Sequence, residues 1–184
     1  MNVEFEQGRR YSDMELGKIY FWTATINHWQ QLLKEDRFKD VIINSLSHLT
    51  KTGKIDVFAF VIMPSHIHLI WRLNEMNGKE KPNASFLKFT AHEFKKMLQS
   101  GNELAAFSVV AENKDYEFWQ RDSMAIELYT RKVAYQKLNY IHWNPTTEHW
   151  QLAADPCDYY YSSARFYDQG IKEFEFLKDL REEF

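Results

Sequence analysis

Apolar positions follow two periods along this chain. From Lys18 to Asn27 the residues are aromatic or β-branched, the signature of a strand. Phe38, Val41, Ile42, Leu46 and Leu49 then recur at helical spacing, and Lys51-Thr52-Gly53 closes that helix with Gly53 just past its end. Lys54–Met63 is apolar enough for a central strand. Pro64-Ser65 breaks it, and His66–Leu73 alternates cleanly. A polar loop covers 74–83, after which Ser85 is suited to cap a helix over Phe86–Gln99 that stops at Ser100-Gly101. Leu104–Val110 reads as a short fourth strand, the aromatic stretch 116–124 fits neither period, and Ile126–Trp143 reads as a third helix stopped by Pro145. The pattern also predicts an irregular lead-in over 1–17, a turn at Asp155-Pro156 and a charged last helix.

Strand, helix, strand, strand, helix, strand is the split βαβ order. It predicts an α+β, ferredoxin-like (RRM-like) domain: an antiparallel sheet with helices on one face, the other face open, and a C-terminal helical extension. At 184 residues, without repeat or linker, the chain reads as one domain, with its core over about 18–145 and the extension over about 146–184. An apolar content of 45% excludes a disordered chain. The longest apolar run, Val57–Met63, is far short of a membrane span, and Met1–Arg10 has no apolar stretch resembling a secretory signal, so no membrane partner is expected. One cysteine, Cys157, excludes an intrachain disulfide and points to a reducing, cytoplasmic setting.

Two short segments carry candidate chemistry. In Pro64-Ser65-His66-Ile67-His68-Leu69-Ile70-Trp71-Arg72-Leu73, strand alternation puts His66, His68, Ile70 and Arg72 on one face. Two imidazoles at i and i+2 have Cα atoms roughly 6–7 Å apart, close enough to converge on one metal ion. On its own the pair is a weak motif and fits the plainer reading, two histidines on a solvated sheet face, better. In Tyr140-Ile141-His142-Trp143-Asn144-Pro145, Tyr140 and Asn144 share a helix face, Lys137 lies one turn earlier, and Ala134, Leu138 and Ile141 make an adjacent apolar stripe. A phenol with a pKa near 10 needs a base or a polarised electrophile to act as a nucleophile at neutral pH. The plainer alternative makes Tyr140 an interfacial aromatic and Asn144 a helix-end residue. The proline after Asn144 should push that residue out of helical backbone angles.

Taken together and in this order, the two segments resemble the single-tyrosine HUH transposases. Val61–Ile70 is similar to that family's histidine strand. Tyr140–Pro145 is similar to the tyrosine helix of its REP-associated branch, and Tyr161-Ser162-Ser163-Ala164 to a Ser-Ser element that follows there. The resemblance covers about residues 18–166. It implies that Tyr140 is the nucleophile, that His66 and His68 bind a divalent cation, Mg²⁺ or Mn²⁺, and that Asn144 supplies an amide ligand. It further implies cleavage and rejoining of single-stranded DNA, often beside a hairpin, through a 5′-phosphotyrosine, by a monomer or a homodimer. The polar Thr146-Thr147-Glu148-His149 departs from the small and basic residues usual after that Asn-Pro, and 171–184 carries five acids against three bases.

A net charge of −3 gives no global signal for nucleic acid, so contact with DNA requires local positive charge. The stretch from Lys79 to Lys96 is net +3, including Lys88 and Lys95; Arg72, Arg121, Arg131 and Lys137 are further candidates. Trp119, Trp143 and His142 are candidates for base stacking. The other two readings are a non-catalytic single-strand or hairpin binder on the same fold, and a metal-dependent hydrolase built on the two histidines.

Overall fold

The computed structural model describes residues 13–99, 102–121 and 123–184. The expectations for 1–12 and for the Ser100-Gly101 stop lie outside them. A four-stranded antiparallel sheet is built from β1 (Ile19–Thr25), β2 (Ile55–Ile62), β3 (His66–Leu73) and β6 (Met124–Glu127), in the spatial order β2-β3-β1-β6. β1 and β2 run parallel with β3 between them, which is the expected split arrangement.

Helices α1 (Asp36–Lys51) and α2 (Pro82–Leu98) lie on one sheet face. There Phe38, Ile42, Leu46, Phe86 and Phe94 pack with Tyr20, Trp22, Leu69 and Trp71 in the larger core. The rings of Trp22 and Trp71 are 4.7 Å apart, and burying each such side chain contributes about 2–3 kcal/mol. Gly53 ends α1 in the left-handed conformation, as its position implied. Helix α2 starts earlier than expected: Pro82 is its first residue, where a missing N–H costs nothing, and Ser85 sits inside the first turn bonded to the Pro82 carbonyl.

The fourth strand of the sheet is not the segment the pattern suggested. Asn102–Phe107 forms a 3-10 turn, and β4 (Ser108–Ala111) with β5 (Lys114–Tyr116) makes a separate hairpin. β6 takes the edge beside β1, so Ile126 and Glu127 are strand residues. The third helix, α3 (Arg131–Trp143), begins only at Arg131, behind Thr130, whose hydroxyl accepts from the Val133 N–H.

The second sheet face is not left bare. Ala134, Leu138 and Ile141 of α3 (Arg131–Trp143) pack on Phe21, Phe58, Val61 and Ile70 in a second, smaller core. A β-bulge between Val57 and Ala59 puts both Phe58 and Ala59 on this side while keeping Val61 opposite His68. Beyond α3 the extension is mostly irregular, with 3-10 turns and one six-residue helix, α4 (Ala164–Gln169). In place of a charged last helix, Phe174, Phe176, Leu177 and Leu180 are buried against the domain. This segment covers the exposed edge of β2: Ser163 exchanges bonds with Phe60, the Tyr159 hydroxyl donates to the Ile62 carbonyl, and the Lys178 N–H donates to Val57.

Candidate active site

α3 and the loop after it leave one end of the second face open. The resulting cleft, about 480 Å³, is lined by Thr23, Trp29, Gln31, Ser65, His66, His68, Tyr140, Asn144, His149 and Trp150. It therefore gathers all four residues of the two motifs. No carboxylate is among these lining residues.

The alternation of β3 brings both histidines to the cleft floor, with ring centroids 4.7 Å apart. Thr23 pairs with His68 across β1 and β3, and its hydroxyl shares a 2.7 Å hydrogen bond with His68 Nδ1. The Ser65 hydroxyl lies 3.2 Å from His66 Nδ1. Each ring is thus held through Nδ1. His68 Nε2 is buried and has no hydrogen-bond partner among the described residues, an expensive condition for a polar atom. Burial pulls His66 down to about 4. For His68, burial, then His66 and Lys137, lower the pKa to about 3. Both rings are neutral at physiological pH, with lone pairs to offer.

Tyr140 stands over His68, ring centroids 5.2 Å apart, and over Phe21 at 5.9 Å. Half of its surface is exposed. The Lys137 ammonium lies 4.8 Å from the Phe21 ring and 5.8 Å from that of Tyr140. Asn144 keeps helical angles (φ −54°, ψ −45°) despite Pro145, because α3 passes directly into a 3-10 turn over Asn144–Thr146. The expected departure does not occur, and Asn144 stays on the face of Tyr140.

The remaining candidates for DNA contact are dispersed. Arg72 lies on the histidine face but is held by Asp56 at 2.6 Å and Glu183 at 2.7 Å, so its guanidinium is already paired with carboxylates instead of reaching toward the cleft. Lys88 pairs with Glu80, and Lys95 covers the Tyr116 ring; both are on α2, across the sheet from the cleft. Arg121 pairs with Glu117. Arg131 is exposed at the start of α3, against Tyr135. His142 cannot stack on a base: it is buried and bonded to Ser163 at 2.9 Å. Trp119 is core, its indole donating to Thr90. Trp143 is exposed but borders a different pocket with Cys157 and Asp168.

Thr23, Trp29, Gln31, Ser65, His149 and Trp150 were not singled out by sequence reasoning. Ser65 was legible as the neighbour of His66. Thr23 becomes visible only through strand register, and the others only once the loops are folded.

No family model matches the sequence, and no curated protein matches it. Among solved structures, that of a REP-associated tyrosine transposase bound to a REP hairpin is similar over 94% of this chain and 91% of its own, with a TM-score of 0.60 at 20% identity. A protein of Deinococcus radiodurans R1 assigned as a transposase matches at a TM-score of 0.42 and 14% identity over 71% of this chain and 94% of its own, too loose a likeness to bear weight. The chain shares the fold of the REP-associated tyrosine transposase.

Proposed function

We propose that this protein cleaves and rejoins single-stranded DNA through a covalent 5′-phosphotyrosine formed on Tyr140, with a divalent cation, Mg²⁺ or Mn²⁺, at His66, His68 and Asn144. The observation that carries the reading is the edge-to-face contact of Tyr140 with His68, beside His66, in a cleft that also holds Asn144. The unpartnered Nε2 of His68, the hydroxyls holding both Nδ1 atoms and the neutral rings fit a ligand pair that is oriented from behind. Two imidazoles and an amide suit Mn²⁺ at least as well as Mg²⁺. When bound, the cation would polarise the scissile phosphate and offset its charge.

The protein's own groups supply the remaining chemistry. The Tyr140 phenol gives up its proton to solvent, and its oxygen forms a bond to phosphorus. The P–O3′ bond breaks, and the departing 3′ oxygen takes up a proton. Because the phosphodiester energy is kept in the tyrosyl ester, a 3′-hydroxyl can reverse the step without an external energy source. Lys137 places positive charge beside Tyr140, where a phosphate would approach. A hydrolase of small phosphoesters is less well supported, since among the described residues no carboxylate lines the cleft to activate water. The fold neighbour is bound to a REP hairpin, which favours hairpin-bearing DNA as substrate.

Incubation with Mn²⁺ and labelled single-stranded hairpins from the gene's flanks, followed by a denaturing gel, tests this reading. A slow band is expected for the wild type and not for Tyr140→Phe or His66→Ala. Tight binding without any adduct would replace the enzyme with a non-catalytic DNA-binding protein.

A further inference from the structure

Trp29 combines a left-handed backbone with an exposed indole. It is 59% exposed, the most exposed tryptophan of the described residues. Its backbone is left-handed (φ 56°), directly after a left-handed His28 (φ 54°). Such angles are costly for residues with a Cβ and persist only where the surroundings impose them. Here they are imposed: Ile26 N–H donates to Ser65 at 2.8 Å, Asn27 N–H to Phe118 at 2.7 Å, Leu33 N–H to Pro64 at 2.9 Å, and the Gln30 amide to Ala106 at 2.8 Å. The turn is pinned on all sides, yet the indole it projects gains little burial.

That indole faces the cleft, edge-on to the His66 ring at 5.8 Å. Trp150 approaches the same ring at 5.5 Å and precedes another left-handed residue, Gln151 (φ 46°). Ring contacts thus link Tyr140 to His68, His68 to His66, and His66 to the two tryptophans. An in-line displacement places nucleophile and leaving oxygen on opposite sides of phosphorus. With Tyr140 at one end, the departing 3′ oxygen and its nucleoside lie toward the other.

Resting on the reading above, we infer that Trp29, with Trp150 beside the same His66 ring, forms a nucleobase subsite for the nucleotide that leaves with the 3′-hydroxyl. Stacking there is tolerant of sequence, since every base has a π face. Its consequence is retention: the released 3′ end stays beside the phosphotyrosine, where rejoining can use it.

The test compares wild type, Trp29→Gly and Trp29→Phe in binding 5′-fluorescein-dT8 and the same oligonucleotide lacking its 3′-terminal base, by anisotropy. Glycine is at ease at φ 56°, so Trp29→Gly is expected to melt no lower than wild type while binding dT8 roughly 5- to 100-fold more weakly. Trp29→Phe should recover part of the loss. Removing the terminal base should weaken wild type similarly and leave Trp29→Gly unchanged. Equal binding by wild type and Trp29→Gly, or a lowered melting temperature in Trp29→Gly, overturns the subsite alone. Wild-type protein that binds neither oligonucleotide overturns the subsite, and the hairpin adduct gel then decides the proposed function separately.

Discussion

Thr23 is a small residue with a large lever. Its hydroxyl fixes the ring that stands under Tyr140, through a 2.7 Å bond to His68 Nδ1 from the neighbouring strand. Valine has nearly the same shape and no hydroxyl. In Thr23→Val, His68 Nδ1 loses its partner, at a cost of about 1–3 kcal/mol to the metal-free fold. Mn²⁺ affinity, measured by calorimetric titration, is expected to fall about 10- to 100-fold, with Thr23→Ser close to wild type. Unchanged affinity in Thr23→Val would mean that the ring is oriented by packing against Phe21, 5.4 Å away, and not by the hydroxyl.

At the scale of elements, what could be read in the sequence depended on length and period. The strands with long, regular patterns were legible: His66–Leu73 matches its observed bounds, and the helix around Phe38–Leu49 needed only a few more residues at its ends. The alternation of that strand and the i, i+4 spacing of Tyr140 and Asn144 were enough to gather the motif residues at one site. β6 was not legible, because four residues carry too little pattern to outweigh the helical run that follows. The last segment misled for a different reason: its charges suggest a solvated helix, whereas Phe174 and Phe176 pack on Phe60 and take the chain along a sheet edge. Arg72 and His142 show the same limit at the site. The face was right for Arg72 and the stacking role wrong for His142, and in both cases the partner, Glu183 or Ser163, is more than twenty residues away in sequence, where no local pattern reveals it.

At the scale of the whole molecule, the tail is tied to the sheet by long-range ion pairs. Asp56 receives Arg72 at 2.6 Å and Lys178 at 2.6 Å, while Arg72 also binds Glu183, so the final residues are tied to the β2–β3 end of the sheet away from the histidines. These pairs also absorb part of the tail's negative charge. Burial alone would raise the Asp56 pKa, but hydrogen bonds from Lys178 and Arg72 outweigh it and hold the carboxyl below its ordinary range. A lowered folded pKa means stability that is fully present above the unfolded value, near 4, and lost as pH falls through the folded value. Urea unfolding should therefore show Asp56→Asn less stable than wild type at pH 7, with the gap closing at pH 3 and below. A gap that persists undiminished in acid would assign the effect to packing, not to charge.

The chemistry at the other end of the sheet has a sharper test. After reaction with hairpin DNA and Mn²⁺, nuclease trimming and tryptic digestion should leave a nucleotide on the peptide spanning 138–165, and fragmentation should put that mass on Tyr140. A nucleotide on Tyr159, Tyr160 or Tyr161, which share that peptide, or on any other residue, would contradict the assignment of Tyr140 as the nucleophile.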